Sequence, residues 1–275
     1  MSTNDDICKF LQVFQRLSPN VIFWKHLEDA LLGVGDIDCF VKESELPLIT
    51  KNVKKAAISV FGERLDCIYY CDHHINVRCI FLVVDDYLPR LIQIDLTYRQ
   101  ERFGAAWLQW DILKSKIVRN KNNLTVVCES FYPVIIFILY CLNSTGNFKI
   151  KNSADQKLID KQNKPDLNFK KNIIEIFHEA DFKIVKVKSI RNYILKIDCL
   201  KNLSICIYWI TLMEVRVSKI QALILRFLYK MKRRKVQCTT LHIIRNGRNI
   251  SKPLEEWKVD LSNEQIIYMR QRWHL

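Results

Sequence analysis

Two apolar runs in this chain are interrupted by aspartate. "GVGDIDCFV" at residues 33–41 carries Asp36 and Asp38, and "LIQIDLTY" at residues 91–98 carries Asp95. Charged side chains are seldom buried unless they are paired or bound to a metal. The alternation of Ile37, Cys39 and Val41 reads as a strand with those three on one face. Asp36 and Asp38 then share the other face, with Cα atoms about 7 Å apart at roughly 3.3 Å per residue. That brings both within reach of one Mg²⁺, or of two ions about 3.5–4 Å apart. Without a cation, the two like charges would repel and one pKa would rise. Asp95 is the third candidate if its strand lies beside the first. The plainer reading of D-x-D is a pair of solvated aspartates on an edge strand.

The surrounding pattern predicts an α+β fold with a mixed sheet. Apolar positions over residues 7–17 have helical spacing, "VIFW" is strand-like, and "KHLEDALLG" is a short helix or loop. "SELPLITKNVKKAAISVFG" reads as a helix capped by Ser44, with Pro47 in its first turn and Gly62 at its end. Three strands follow, "LDCIYYCD", "VRCIFLVVDD" and "RLIQIDLTY", the last two joined by a turn at "DDYLPR". "AAWLQWDILKSKIV" reads as a helix, residues 143–170 as a polar linker, "KKNIIEIFHEADF" as a helix and "KIVKVKSI" as a strand. "SKIQALILRFLYKMKRRK" is an apolar helix ending in a basic cluster. The predicted domains are 1–145 and 165–275, the second basic and mainly helical.

With 275 residues, 49% of them hydrophobic, the chain can bury a sizeable core. Its net charge of +14 points to a polyanionic partner or a phosphate-bearing substrate. In residues 201–275, 15 Lys and Arg face 5 Asp and Glu, so +10 of that excess lies in the last quarter. Lys232, Arg233, Arg234 and Lys235 are the candidate contacts for RNA or another polyanion, or simply a solvated helix end. Arg245, Arg248, Arg270 and Arg272 extend the basic face. The start "MSTNDDICKF" lacks the look of a secretory signal. "FYPVIIFILYCL" and "LSICIYWITLMEV" are shorter than the roughly 20 residues of a membrane span. The 10 cysteines do not suggest a disulfide framework, and the reading is a reduced, cytoplasmic protein. Cys67, Cys71, His73, His74 and Cys79 are dense enough to raise zinc, but their spacing is poor for it. The two histidines read as turn residues. Glu101 and Asp111 are either extra ligands or surface charges.

"WKHLEDALLGVGDIDCFV", followed by a helix and then "LIQIDLTY", resembles the polymerase-beta-type nucleotidyltransferase superfamily over residues 21–98. In that pattern a small-residue turn precedes [DE]-h-[DE]-h on a strand by about ten residues, and a third acidic residue follows on a later strand. The resemblance implies that Asp36, Asp38 and Asp95 hold Mg²⁺ or Mn²⁺, with Asp95 helping to activate an acceptor hydroxyl. It also implies that an NTP is the substrate. The acceptor would be RNA such as tRNA, or a sugar or polysaccharide precursor. Residues 1–145 would then be a nucleotidyltransferase-like catalytic domain, and residues 165–275 an acceptor-binding one. The chain departs from the pattern at Trp24, Lys25 and His26, where the superfamily has Gly-Gly or Gly-Ser. Lys25 and Gly35 are the nucleotide-binding candidates, Lys25 as a point charge toward the triphosphate. The alternative is a protein that keeps this fold without catalysis and binds nucleic acid or a protein partner.

Overall fold

The computed structural model describes residues 3–33, 35–74, 76–84, 90–143, 153–160, 164–216, 221, 224, 240–245 and 248–253. The chain is a mixture of helices and a mixed sheet, and it divides into two compact units. The first comprises Met1–Tyr98, Arg119–Val126 and Phe227–Leu275; the second comprises Arg99–Val118 and Val127–Arg226.

The first unit begins with α1 (Thr3–Leu17), β1 (Ile22–Lys25), α2 (Leu27–Leu31), β2 (Ile37–Phe40) and α3 (Leu46–Phe61). It continues with β3 (Leu65–His74), β4 (Val77–Val84) and β5 (Arg90–Thr97). Later in the chain come β9 (Thr125–Val127), β10 (Thr240–Arg245) and β11 (Arg248–Pro253). The strand order runs β11-β10-β3-β4-β5-β2-β1-β9. The β2–β5 and β1–β9 pairs are parallel, and the other neighbours in this run are antiparallel.

One face of this sheet is apolar because its strands alternate. Phe23, Ile37, Cys39, Ile80, Leu82, Ile92, Ile94 and Leu96 are buried in one cluster with α1 and α3. α1 contributes Ile7, Phe10, Leu11 and Phe14, a three-and-four spacing that makes one helical stripe. α3 contributes Ile49, Val53, Ala56, Ala57 and Phe61. Polar groups at the end of α1 are satisfied from inside. The buried Asn52 Nδ2 donates to Leu17 O at 2.7 Å and to Ser18 Oγ at 3.0 Å. Gln15 Nε2 donates to Val21 O at 3.1 Å, and Gln15 Oε1 accepts from Thr125 N at 2.8 Å. These bonds tie the loop after α1 to β9.

The second unit holds the hairpin of β6 (Arg99–Arg102) and β7 (Ala105–Gln109), followed by α4 (Trp110–Leu113) and β8 (Ile117–Arg119). Its larger helices are α5 (Tyr132–Asn143), α6 (Ser153–Asp160), α7 (Leu167–Glu179), α8 (Lys188–Lys196) and α9 (Leu200–Glu214). Val134 through Ile138 on α5 are all buried, which accounts for its apolar run. The described residues contain no helix long and apolar enough to cross a membrane. Asp166 caps α7 by accepting from Phe169 N at 2.7 Å. The buried Lys170 donates to Leu195 O at 2.7 Å and Ile197 O at 3.1 Å, satisfying carbonyls at the end of α8. Lys170→Met is therefore expected to cost about 2 kcal/mol in urea unfolding, since it strands those carbonyls.

Several predicted elements are corrected. Residues 105–118 form a strand, a short helix and a strand, not one helix. Phe103 and Gly104 at φ 53° and 87° make a two-residue reversal that commits "AAWLQ" to a hairpin. "KIVK" is a 3₁₀ turn leading into α8, not a strand. Glu214 Oε2 accepts from Ile184 N at 3.0 Å, drawing that backbone away from extended pairing. The linker over residues 143–170 contains α6 and the start of α7. Ser44 lies in a 3₁₀ turn, and Glu45 stands at the α3 N-cap position. His73 and His74 lie in β3, not in a turn, with His74 opposite Val77. Residues 165–275 contribute β10 and β11 as well as helices. Asp85, Asp86 and residues 232–235 lie outside the described residues, as do most of the basic helix predicted over residues 218–235 and the C-terminal arginines Arg270 and Arg272.

Candidate active site

The sheet face opposite the α1–α3 core carries the aspartates. β2 sends Ile37 and Cys39 into the core, so Asp38 and Phe40 point the other way. β5 does the same, with Ile92, Ile94 and Leu96 inward and Gln93, Asp95 and Thr97 outward. β2 and β5 are parallel, with Asp38 opposite Asp95. Neighbouring strands stand about 4.8 Å apart, so the two carboxylates leave the sheet side by side. Asp36 immediately precedes β2 and is half-buried. Gly35, just before it, has φ 131°, a conformation that L side chains rarely adopt. Its place is therefore in the turn that delivers Asp36.

β1 brings a cation to this pair. It runs antiparallel to β2, but the register slips between Phe23 and Lys25. The slip at Trp24 sets Lys25 opposite Asp38, a re-aiming typical of a β-bulge. Lys25 Nζ lies 3.0 Å from Asp38 Oδ1. It also lies 5.2 Å from the centre of the Trp24 ring, which meets Phe40 edge-on at 5.6 Å. His26, at φ 52°, stands at the N-cap position of α2.

The electrostatics follow from burial. Asp38 is 7% exposed, and its pKa is pushed up to about 6. Loss of water is the main cause; Asp95 adds to it, while Lys25 and His26 oppose it. The Cys39 thiol on the core side is also pushed up, by burial and by the same two carboxylates, so it stays protonated. Gln93 Nε2 donates to Asp95 Oδ1 at 2.8 Å. The Gln93 Oε1 and Trp24 Nε1 atoms are buried with no hydrogen-bond partner among the described residues. A buried amide oxygen left unpaired beside Asp95 is a reason to look for a further ligand.

These donors are hard oxygens, the kind that Mg²⁺ or Mn²⁺ takes, and Mg²⁺ is often held by only one or two carboxylates plus phosphates. In that respect Asp38, Asp95 and Gln93 fit a divalent ion. Among the described residues no three His, Cys, Asp or Glu side chains are already gathered around one metal position. Asp38 and Asp95 are the pair in register, with Asp36 next along the chain. Glu101 pairs with Arg99 at 3.3 Å, and Asp111 pairs with Lys114 at 2.8 Å. Cys79 is buried opposite Asp95 on β4. The sequence pattern does not anticipate the Lys25 ion pair or the Gln93 hydrogen bond to Asp95. The available signal was Gln93 sharing alternation with Asp95 inside an apolar strand.

The chain matches no protein-family model, no curated protein and no solved structure.

Proposed function

We propose that this chain is a metal-dependent nucleotidyltransferase built on a nucleotidyltransferase-like sheet. The observation that carries the reading is the register of Asp38 with Asp95 on one face of β2 and β5, two residues beyond Asp36. Asp36, Asp38 and Asp95 would hold Mg²⁺ or Mn²⁺. A bound divalent ion lowers the pKa of an attacking hydroxyl and neutralises charge on the triphosphate. The chain's own groups do the rest. Asp95, steadied by Gln93, accepts the proton of the acceptor hydroxyl as its oxygen bonds to the α-phosphorus. The bond to the β-phosphate oxygen breaks, and pyrophosphate leaves. Lys25 offers a positive charge to the phosphates.

The acceptor in this reading is polyanionic, with RNA the first choice and a sugar phosphate or polysaccharide precursor the second. The second unit supports that class. Lys171, Lys188 and Arg191 line one groove beside α8. A cavity of about 240 Å³ between α8 and α9 carries the exposed rings of Tyr193 and Trp209. Cations with exposed aromatic faces suit single-stranded nucleic acid.

A second reading has its own observation. Lys25 already supplies a charge to Asp38, as in a fold that has given up catalysis and only binds its partner. Calorimetry separates the two. A catalytic site takes up a non-hydrolysable NTP only when Mg²⁺ or Mn²⁺ is present, and Asp38→Ala removes that binding. No NTP binding with either metal would leave the non-catalytic reading standing.

A further inference from the structure

We propose that Lys25 acts as a resident counter-cation for the carboxylate pair, and that a divalent ion must displace it before the site can work. This rests on the nucleotidyltransferase reading and deepens it. The bulge at Trp24 makes Lys25 a fixture of the site, because without the register slip the residue opposite Asp38 would be Trp24. The ammonium lies 3.0 Å from Asp38 Oδ1, and the two side chains are 24% and 8% exposed. So poorly hydrated a carboxylate must be balanced by some cation. Ammonium and metal are alternatives there. A doubly charged ion bound to Asp38 and Asp95 would stand within a few ångströms of the ammonium, and their repulsion is weakly screened in such a site.

The structure also offers Lys25 somewhere to go. Its Nζ is already 5.2 Å from the Trp24 ring centre, an attractive position for a cation. A small rotation of the side chain can release Asp38 while keeping that contact. The freed ammonium, on the more exposed of the two side chains, would be available to a triphosphate. Metal and nucleotide should therefore bind cooperatively, each favouring the displaced lysine. This gives Lys25 a positioning role in place of the small residues that the resembling superfamily uses to cradle phosphates. The resting protein keeps a cation on Asp38 without a metal.

The test compares chelator-stripped full-length wild type with Lys25→Gln and Lys25→Arg. Mn²⁺ binding is measured by calorimetry and by paramagnetic resonance of the free ion. Lys25→Gln is expected to bind Mn²⁺ about tenfold or more tightly, because the competitor is gone. Lys25→Arg should bind no more tightly than wild type. A non-hydrolysable NTP analogue should strengthen Mn²⁺ binding by a larger factor in wild type than in Lys25→Gln. In wild type alone, Mg²⁺ titrated against protein with ¹³Cε-labelled lysine should shift one lysine resonance, assigned to Lys25 by its loss in the variant. Lys25→Arg, which keeps the charge, supplies the same assignment if Lys25→Gln folds poorly. Equal Mn²⁺ affinity in wild type and Lys25→Gln would overturn the displacement and leave the metal site intact. Weaker binding in Lys25→Gln would overturn it too, making the lysine a support for the metal. No Mn²⁺ or Mg²⁺ binding in any of the three proteins would overturn both this inference and the reading beneath it.

Discussion

Asp38→Asn is expected to abolish a pH dependence of stability worth about 3 kcal/mol in metal-free protein, given about 1.4 kcal/mol for each pKa unit. Folding raises the Asp38 pKa from 3.8 to about 6. Between those values the folded state holds a proton that the unfolded chain has lost. Stability therefore falls as pH rises through that window. The contribution is fully present below pH 3.8 and gone above about 6. An amide cannot titrate, so urea midpoints of the variant should lose this slope while wild type keeps it. Equal slopes would mean that Asp38 is better hydrated than its burial implies.

Lys25→Met should be the most damaging single change in the first unit that leaves its apolar core untouched. It strands a carboxylate that is 8% exposed at the side chain and has Asp95 beside it. Breaking a buried ion pair from one side costs about 3–5 kcal/mol, because the remaining charge is uncompensated. The loss should grow with pH, since above about pH 6 the carboxylate must either stay charged or take a proton from dilute solution. Asp38→Asn in the same chain should restore most of the loss. A double-mutant cycle by urea unfolding measures this directly. If Lys25→Met costs nothing at pH 7.5 without metal, the lysine does not hold the aspartate.

Much of the first unit was legible because strand alternation is a strong local signal. Ile37, Cys39 and Val41 announced a core face, which put Asp38 opposite them. Asp95 stood out in the same way inside "LIQIDLTY". The partnership of Asp38 with Asp95 was only a conjecture at that level. Two strands, β3 and β4, separate β2 and β5 in sequence, and nothing local fixes the order in which they line up. The Lys25 ion pair was hidden for a similar reason. A register slip at Trp24 is set by pairing with β2, so "FWKH" alone reads as an exposed strand end.

Two failures elsewhere have local causes. "AAWLQW" has good helix formers, but the two positive-φ residues before it close a hairpin first. "KIVKVKSI" alternates, yet the Glu214 carboxylate takes the Ile184 amide. β10 joins the sheet beside β3, with Ile243 opposite Tyr69, although more than 160 residues separate them in sequence. Pairing at that distance leaves no mark in either segment. The units are interleaved along the chain for the same reason.

Nucleotide transfer itself is the most direct test of the account. Wild type, Asp38→Ala and Asp95→Ala would be incubated with α-labelled NTPs and Mg²⁺ or Mn²⁺. Total tRNA and a panel of sugar phosphates would serve as acceptors, with folding of each variant checked by circular dichroism. Labelled acceptor and released pyrophosphate are expected with wild type, and a loss of about a hundred- to a thousandfold in each folded variant, the scale of removing a group that holds charge in the transition state. Label transfer that survives both substitutions, or wild type that neither binds nor transfers any NTP, would contradict the proposed function.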